Sequence, residues 1–394
     1  MVRFLHTADW QIGKPYANVG DEQKRSRLLQ ERFAVVQRIA AVAERQAVCF
    51  VLVAGDLFDS TTVPIAAVME VLEAIGAMTV PVLVIPGNHD HGGAGSLWHH
   101  EEFRRQQARF APNLQVLLER VPLELEQAVL LPCPLLRRAD NSDPAAWIAA
   151  LDPASLPAAK PRLVLAHGGT QGFSGRDYDL DDEAPPGANN CIELAQLGEA
   201  GVDYVALGDW HGRKEITPWA WYPGTPEPDR FGQGDSTARG QVLVVEVERG
   251  KAPRVESVAT GRLRWHRLSF HFGDDADLDR FERLLHDQLE GRVARDLLRL
   301  EVSGSLSLAG HERYDRLIEE LRHQLLHLRL KGQCDPVPQA AELEALTQRP
   351  GDPLIAGVAA QLQRRLDDAT ASDPAEAALC RAALCQLYQL VSGR

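Results

Sequence analysis

VPVLVIPGNHD, residues 80–90, places a run of apolar, mostly β-branched residues directly before a turn of metal-ligand side chains. Such a run, bounded by a turn, predicts a strand buried inside a parallel sheet. Gly87 permits a tight turn, Asn88 offers a neutral oxygen, and packing gives no reason for His89 to follow. The stretch therefore predicts a buried strand that ends in a binding loop.

Four more apolar runs in the first two thirds of the chain end in turns of the same kind. The polar residues in those turns are Asp9, Gln11, Asp56, His167, Asp209 and His211. Because ligand sites in open α/β sheets form beyond the carboxyl ends of the strands, we expect one sheet to bring all these turns together at one edge. A lone Gly-Asp after a strand is common in ordinary loops, but a series at successive strand ends predicts a metal centre.

The order of apolar runs and helical periodicities predicts a parallel α/β sheet in the N-terminal part of the chain. Helices predicted over residues 28–46 and 63–78 separate the first three strands. Farther on, QVLVVEVE and PRVESVAT alternate like a pair of antiparallel strands. Around residue 262 the pattern changes to strand, helix, strand, helix, strand, which we interpret as a small separate domain.

Two short helices are predicted near the C-terminal end of the sequence. Asp352-Pro353 and Asp373-Pro374 each put an N-cap aspartate before a proline at the first helical position. A stripe of small apolar residues on each helix would receive a partner helix or fold back onto the preceding domain. The predicted domains are residues 1–262, 263–333 and 334–394.

The composition is that of an ordinary globular protein, with 45% hydrophobic and 25% charged residues in a chain of 394. No apolar run approaches the roughly 20 residues that cross a bilayer, and the N-terminus turns polar too soon for a signal peptide. We therefore expect a cytoplasmic protein without a membrane partner. The six cysteines form no CxxC pair, which predicts reduced thiols and not a zinc ribbon or disulfide scaffold.

The net charge of −13 argues against a surface coated with basic residues for binding nucleic acid. A cleft that holds divalent metals nonetheless attracts phosphate locally, whatever the total charge of the protein. The net charge of the whole chain therefore does not exclude a nuclease.

The series D-x-H, GD, GNHD, H and GH-x-H is the pattern of calcineurin-like metallophosphoesterases, and this chain resembles it over roughly residues 1–260. Motif order, spacing, the C-terminal domain and WYPGTPEPDRF make the chain similar to the DNA repair exonucleases of that family, which include the nuclease component of the SbcCD complex. The resemblance implies an α/β (α+β) fold. Its parts would be a four-layer β-sandwich flanked by helices, a small βαβαβ capping domain, and C-terminal helices that dock on a partner.

The resemblance also implies a site for two divalent metal ions. The first ion would be held by Asp9, Gln11, Asp56 and His211, and the second by Asp56, Asn88, His167 and Asp209. His89 would be the catalytic general acid or charge stabiliser at the scissile phosphate, and Gly224 and Thr225 would lie near the substrate. Asp59 and Asp90 would either orient ligands or cap the following helices.

Two positions depart from the family pattern, which usually has histidine where this chain has Gln11 and Asp209. Both replacements still offer an oxygen donor, whereas a decayed site more often acquires residues that cannot bind a metal. Oxygen is a harder donor than the imidazole nitrogen that it replaces, and hard donors favour hard cations, so we expect Mn²⁺, with Mg²⁺ as the alternative. The additional carboxylate also predicts a bridging water of higher pKa and a pH optimum displaced toward alkaline values.

By this resemblance the chain would be a two-metal-dependent DNA nuclease that acts in DNA repair as an exonuclease or endonuclease. Its partners would be DNA, a coiled-coil ATPase of the SbcC type, and a second copy of the chain in a homodimer. Two alternatives remain open: a phosphodiesterase or phosphatase for a small molecule, since fold alone does not select the substrate, and a non-catalytic scaffold component of the same ATPase complex.

Overall fold

The computed structural model describes residues 1–170, 189–232, 238–289, 295–369 and 373–391. The chain divides into two compact units, Met1–Arg264 and Trp265–Arg394. The predicted capping segment, 263–333, and docking segment, 334–394, both fall almost entirely in the second unit, and the roles assigned to them stay predictions.

The first unit alternates strands and helices along the chain. Its strands are β1 (Val2–Thr7), β2 (Val51–Ala54), β3 (Val82–Ile85), β4 (Leu114–Val116), β5 (Leu123–Glu124), β6 (Val129–Cys133), β7 (Arg162–His167), β8 (Tyr204–Gly208), β9 (Lys214–Thr217), β10 (Ala220–Tyr222), β11 (Gln241–Val247) and β12 (Arg254–Ala259). Its α-helices are α1 (Glu22–Arg45), α2 (Ile65–Gly76), α3 (Glu101–Phe110) and α4 (Leu194–Glu199). Short 3₁₀ helices cover Leu97–His99, Ala146–Ala150 and Pro153–Ser155.

These strands form two sheets, as the β-sandwich implied by the family resemblance requires, and not the single sheet that the pattern of strand ends alone predicted. One sheet has the order β12-β11-β1-β2-β3-β4, and the other has the order β5-β6-β7-β8-β10-β9. Strands β1 to β4 run parallel, as do β6, β7, β8 and β10, while β11 and β12 form the predicted antiparallel pair. The prediction of one sheet was wrong because a fully buried strand has the same apolar sequence in either sheet.

Alternating side chains of the strands build four layers. In β2, Val51 and Val53 pack toward α1 and α2, whereas Leu52 and Ala54 pack between the two sheets. In the second sheet, Leu165 of β7 points into the same inter-sheet core, and its neighbours along the strand pack on the outer side. Because successive side chains of a strand face opposite sides, each sheet buries both faces. The four-layer β-sandwich flanked by helices is therefore confirmed.

Helix α1 begins at Glu22, earlier than the predicted start at residue 28. Asp21 caps it, with Oδ1 accepting hydrogen bonds from the backbone N–H of Gln23 at 2.9 Å and of Lys24 at 3.0 Å. The prediction started at the first apolar position of the stripe, Leu28, and therefore omitted the polar first turn that the N-cap stabilises.

The second unit has its own sheet and core. Its strands are β13 (Arg264–Phe272), β14 (Asp296–Leu306), β15 (His327–Gly332) and β16 (Asp335–Pro336), with helices α5 (Asp277–Leu289) and α6 (Leu308–Gln324). The sheet order is β13-β14-β15, and β16 also pairs with β14. Phe272, Phe281 and Leu300 lie in the core between this sheet and its helices. The predicted strand-helix alternation is what the structure shows.

Three helices follow the sheet of the second unit: α7 (Ala340–Thr347), α8 (Pro353–Ala369) and α9 (Pro374–Val391). Asp373 caps α9 as expected, accepting hydrogen bonds from two backbone N–H groups at 3.1 Å. Helix α7 was not predicted, because it is short and carries a single buried residue, Leu346. Within the described ranges, the structure contains no helix with the length and apolar content of a membrane span.

Candidate metal centre

The turns that follow β1, β2 and β8 share an unusual backbone conformation. Asp9, Gln11, Asp56 and Asp209 have positive φ angles of 55°, 44°, 52° and 100°. Positive φ in residues other than glycine costs of order 1–3 kcal/mol each and persists only where surrounding structure imposes it. Hydrogen bonds impose it here: Asp9 N–H donates to Gly55 O at 3.1 Å, and Gln11 N–H donates to Asp56 O at 2.9 Å.

Glycines let the turns of the two sheets approach one another. A Cβ on Gly55 would lie 2.2 Å from Nδ1 of His167, and one on Gly208 would lie 1.8 Å from Ala54 O. A Cβ on Gly87 would lie 2.1 Å from Oδ1 of Asp56. The glycines that precede Asp56, Asn88 and Asp209 are therefore required by the close packing of the site.

His167 lies at the centre of the predicted second ligand set. Its Nδ1 is 2.7 Å from Ala54 O, and because a carbonyl only accepts, Nδ1 carries a proton and Nε2 faces the cluster. Nε2 lies 3.0 Å from Oδ1 of Asn88, 3.6 Å from Oδ2 of Asp56 and 3.7 Å from Oδ1 of Asp209. The structure thus brings together all four residues predicted for the second ion.

The same cluster concentrates negative charge in a buried place. Asp9 and Asp56 are 0% and 1% exposed, and their ligand atoms lie with that of His167 within 4.8 Å of one another. Burial raises the pKa of Asp9 well above its usual value, His167 opposes the rise, and Asp56 and Asp209 add to it. Gathered carboxylates are costly to bury without a counter-charge, so this donor set fits a divalent cation.

Protonation of His167 supplies part of that counter-charge. Burial alone would lower the pKa of His167, but the carboxylates of Asp56, Asp9 and Asp209 outweigh burial and raise the pKa to about 9. Without a metal, Nε2 therefore carries a proton at neutral pH, and this N–H donates a hydrogen bond to Oδ1 of Asn88. A metal ion bound here has to take the place of that proton.

The predicted first ligand set is also brought together, but with different neighbours. Nε2 of His211 lies 3.9 Å from Oδ1 of Asp9 and 3.2 Å from Nε2 of Gln11. Lys14 donates to Oε1 of Gln11 at 3.1 Å and to Oδ2 of Asp229 at 2.9 Å. The residues predicted for the first ion are therefore adjacent, with a lysine bound to one of their oxygen atoms.

Asp229, Arg230 and Lys14 are site residues that the sequence analysis missed. Nδ1 of His211 lies 3.1 Å from Oδ2 of Asp229 and 2.9 Å from Nη2 of Arg230. Burial opposes the charged form of Asp229, but Arg230, Lys14 and His211 outweigh it and hold the pKa of Asp229 well below its usual range. The available signal was the DR pair of WYPGTPEPDRF, since a carboxylate commonly orients a metal-binding histidine.

His89 and Asp90 hold opposite sides of the GNHD turn. His89 donates its backbone N–H to Oδ1 of Asp56 at 2.9 Å, and its Nδ1 lies 2.9 Å from Asp59 O. That carbonyl leaves Nε2 as the ring atom available for proton transfer. Asp90 is fully buried and accepts from the backbone N–H of Gly87 at 2.7 Å and of Phe58 at 3.0 Å. Asp90 therefore holds the backbone of the GNHD turn in place, a contact that differs from both predicted roles, orienting ligand side chains and capping the following helix.

Gly224 and Thr225 tie two of the turns together. Gly224 has a φ of 75°, and a Cβ there would lie 2.8 Å from His211 O. Thr225 is 0% exposed, its N–H donates to His211 O at 3.0 Å, and its hydroxyl donates to Asp9 O at 3.0 Å. These contacts position the turns of Asp9 and His211, and proximity of the pair to a substrate stays a prediction.

Comparison with known proteins identifies the same region. The profile of the family described as "Calcineurin-like phosphoesterase" matches residues 2–213, slightly more than half of the chain. Over 94 residues the chain is 33% identical to the D subunit of nuclease SbcCD from Bacillus subtilis (strain 168), covering 23% of this chain and 22% of that protein. Over 243 residues it is 26% identical to "Uncharacterized metallophosphoesterase YhaO" of the same organism, covering 57% and 53%.

These alignments span about a fifth and about half of the lengths of the two relatives. Among solved structures, TT1561 of Thermus thermophilus aligns with 66% of this chain and 99% of its own, at 12% identity and a TM-score of 0.40. The family profile covers all the predicted ligand positions, from Asp9 to His211.

Proposed function

The chain belongs to the calcineurin-like phosphoesterase family, and from this premise we propose that it is a two-metal-dependent DNA nuclease. Members of the family are metal-dependent phosphoester hydrolases. The observation that carries the proposal is the convergence of Asp9, Asp56 and His167 with Asn88 and Asp209 across two sheets. A buried carboxylate cluster built on strained turns has no use in packing and suits a divalent ion.

The residues of the site divide between two ions. Asp9, Gln11, Asp56 and His211 would hold the first, and Asp56, Asn88, His167 and Asp209 would hold the second, with Mn²⁺ preferred and Mg²⁺ as the alternative. When bound, such a pair supplies an activated bridging water and neutralises charge on the attacked phosphate. Asp56, which lies near both sets, would bridge the ions.

His89 would be the general acid of the reaction or the group that stabilises charge on the leaving oxygen. Nδ1–H donates to the carbonyl of Asp59, so the ring keeps one orientation. In the imidazolium form, Nε2–H would then donate its proton to the leaving oxygen or stabilise its charge, and transfer would leave the neutral ring with its proton on Nδ1. The hydrogen bond from the His89 backbone N–H to Asp56 fixes the position of this ring relative to the metal ligands. A substitution of His89 or of Asp56 is therefore expected to disturb both metal binding and proton transfer.

The choice of DNA as substrate and of an SbcC-like ATPase as partner rests on the similarity to the D subunit of nuclease SbcCD. Association into a homodimer, docking of α7 to α9 on the ATPase, a role in DNA repair and a cytoplasmic location belong to the same proposal. The longer alignment is to a protein described only as an uncharacterized metallophosphoesterase, and that description names no substrate. Because fold alone does not select the substrate, a small-molecule phosphodiesterase or phosphatase is the second candidate.

The test is cleavage of a linear DNA duplex by the purified full chain with Mn²⁺, with bis-p-nitrophenyl phosphate assayed in parallel. We expect DNA digestion that chelation abolishes and that Asp56→Ala and His89→Ala each remove. His100→Ala is the matched control, because His100 is exposed and its ring lies 3.1 Å from Gly95 O, a loop carbonyl. Hydrolysis of the small diester without DNA cleavage would favour the second candidate, and metal binding without either activity would favour a scaffold.

A further inference from the structure

Lys14 is built into the polar surroundings of the first metal position. Its side chain is 17% exposed, and its ammonium group lies 2.9 Å from Oδ2 of Asp229 and 3.1 Å from Oε1 of Gln11. A lysine this constrained differs from one on a solvated surface. Its positive charge is fixed one hydrogen bond away from a predicted metal ligand.

The contact with Lys14 also orients the amide of Gln11. An ammonium group only donates, so the atom of Gln11 that faces Lys14 has to be the oxygen, and the amide nitrogen then faces Nε2 of His211 at 3.2 Å. Only the oxygen of an amide binds a cation. An ion in the first position therefore has to compete with Lys14 for Oε1 or turn the amide over.

Arg230 adds a second positive charge beside the same position. Its Nη2 lies 2.9 Å from Nδ1 and 3.3 Å from Nε2 of His211, and it also contacts Oδ2 of Asp229 at 3.3 Å. The carboxylate of Asp229 thus faces the cationic side chains of Lys14, Arg230 and, at 4.0 Å, Arg239. Lys14 contacts Gln11 and Arg230 contacts His211, so their positive charges oppose a further cation at these two ligands.

At the second position the ligand oxygens face the histidine directly. There the oxygens of Asn88, Asp56 and Asp209 lie 3.0, 3.6 and 3.7 Å from Nε2 of His167, whose other nitrogen is held by a neutral carbonyl. Two carboxylates face the imidazole directly, and Asp9 is close by. Asp9 and Asp56 lie beside both positions, so the positions differ in the carboxylate of Asp209, which attracts a cation at the second, and the ammonium group of Lys14, which opposes one at the first.

We infer that Lys14 makes the two metal positions unequal, so that the ion at Asn88, His167 and Asp209 binds first and the ion at Gln11 and His211 binds more weakly. The inference rests on the proposed two-metal site. Lys14 acts through Gln11 and Asp229 and is a positioning residue. The expected difference in affinity due to Lys14 is about 10- to 100-fold, the range that neighbours of metal ligands typically exert.

The test is calorimetric titration of Mn²⁺ into the metal-free full chain, with bound metal counted after gel filtration. The wild type is expected to show a tight and a weak binding event. Lys14→Met, which removes the charge and keeps the chain length, is expected to tighten only the weak event. Lys14→Arg is expected to keep the wild-type difference, and Lys160→Met, which removes a lysine paired with Glu124 at 2.8 Å, is the matched control.

Two ligand variants assign the events to positions: Asp209→Ala should remove the tight event, and Gln11→Ala should change only the weak one. Thermal unfolding of each variant separates loss of fold from loss of affinity. Two equal events in the wild type, or a Lys14→Met protein that keeps the wild-type difference, would overturn the inference and leave the two-metal site standing. A protein that binds no Mn²⁺ at all would overturn both.

Discussion

Nδ1 of His167 lies 2.7 Å from the carbonyl oxygen of Ala54, and this bond connects the ends of strands that belong to different sheets. It fixes the ring so that Nε2 faces Asn88, Asp56 and Asp209. The metal centre is therefore assembled by packing of the two sheets and not within either of them. Substitutions that change the distance between the two sheets are therefore expected to displace the metal ligands.

Gly87→Ala is expected to weaken tight Mn²⁺ binding. The added Cβ would lie 2.1 Å from Oδ1 and 2.6 Å from the backbone N of Asp56, so the turn that holds this carboxylate has to shift. Calorimetry is expected to show an affinity loss of at least about 10-fold, as for disrupted neighbours of metal ligands. Gly20→Ala, whose Cβ would meet no atom within 4 Å, is the control. Unchanged binding in the Gly87 variant would mean that Asp56 is not a ligand.

Asp229→Asn is expected to weaken metal binding while keeping the fold. The neutral amide no longer stabilises the ring of His211, whose Nδ1 lies 3.1 Å from Oδ2 of Asp229, and it leaves Lys14 and Arg230 without their shared counter-charge. The loss should be about 10- to 100-fold and confined to the weaker of two Mn²⁺ events. Glu124→Gln is the control, and an equal effect of both variants would contradict this role.

Mn²⁺ affinity is expected to fall as the pH falls below about 9. The pKa of His167 is raised to about 9 in the metal-free protein, so at neutral pH the ion has to displace a proton from Nε2. The association constant should drop by about one order of magnitude per pH unit, with about one proton released per tight ion. Titration in buffers of different ionisation enthalpy measures that proton. An affinity that is constant between pH 7 and 9 would contradict the assignment.

The stability of the metal-free protein should change with pH in the opposite direction to the Mn²⁺ affinity, and should fall as the pH rises. Because the pKa of His167 is raised from 6.5 to about 9 on folding, its charged form stabilises the fold fully below pH 6.5. That contribution is lost as the pH rises through about 9. Comparing thermal unfolding with and without Mn²⁺ across this range separates the two effects.

Asp209→His is expected to move the pH–rate profile of phosphodiester hydrolysis to lower pH. Oδ1 of Asp209 lies 3.7 Å from Nε2 of His167, and its carboxylate is the third of the cluster, with Asp9 and Asp56. Replacing it by a neutral imidazole leaves a bound metal pair more positive, which lowers the pKa of bridging water. An unchanged pH–rate profile in this variant would contradict the proposal that the extra carboxylate of Asp209 causes an alkaline optimum.

Much of the site was predictable because its ligands lie at the ends of the apolar runs that form the strands. Asn88, His167 and His211 stand out in sequence, since each ends a buried strand or follows one closely. The apolar pattern alone did not indicate which strands belong to which of the two sheets, because pairing depends on contacts between distant segments, and only the family resemblance implied a β-sandwich. For the same reason the sequence did not indicate the ion pair of Lys14 with Asp229, whose members are 215 positions apart.

The most direct measurement is the anomalous diffraction of Mn²⁺ in crystals of the full chain. Two peaks about 3.5–4 Å apart are expected, both in contact with Asp56, one also at His167 and the other at His211. At limiting Mn²⁺ only the peak at His167 should remain. Peaks that do not contact Asp56, or none in the presence of excess Mn²⁺, would contradict the metal centre and the enzyme built on it.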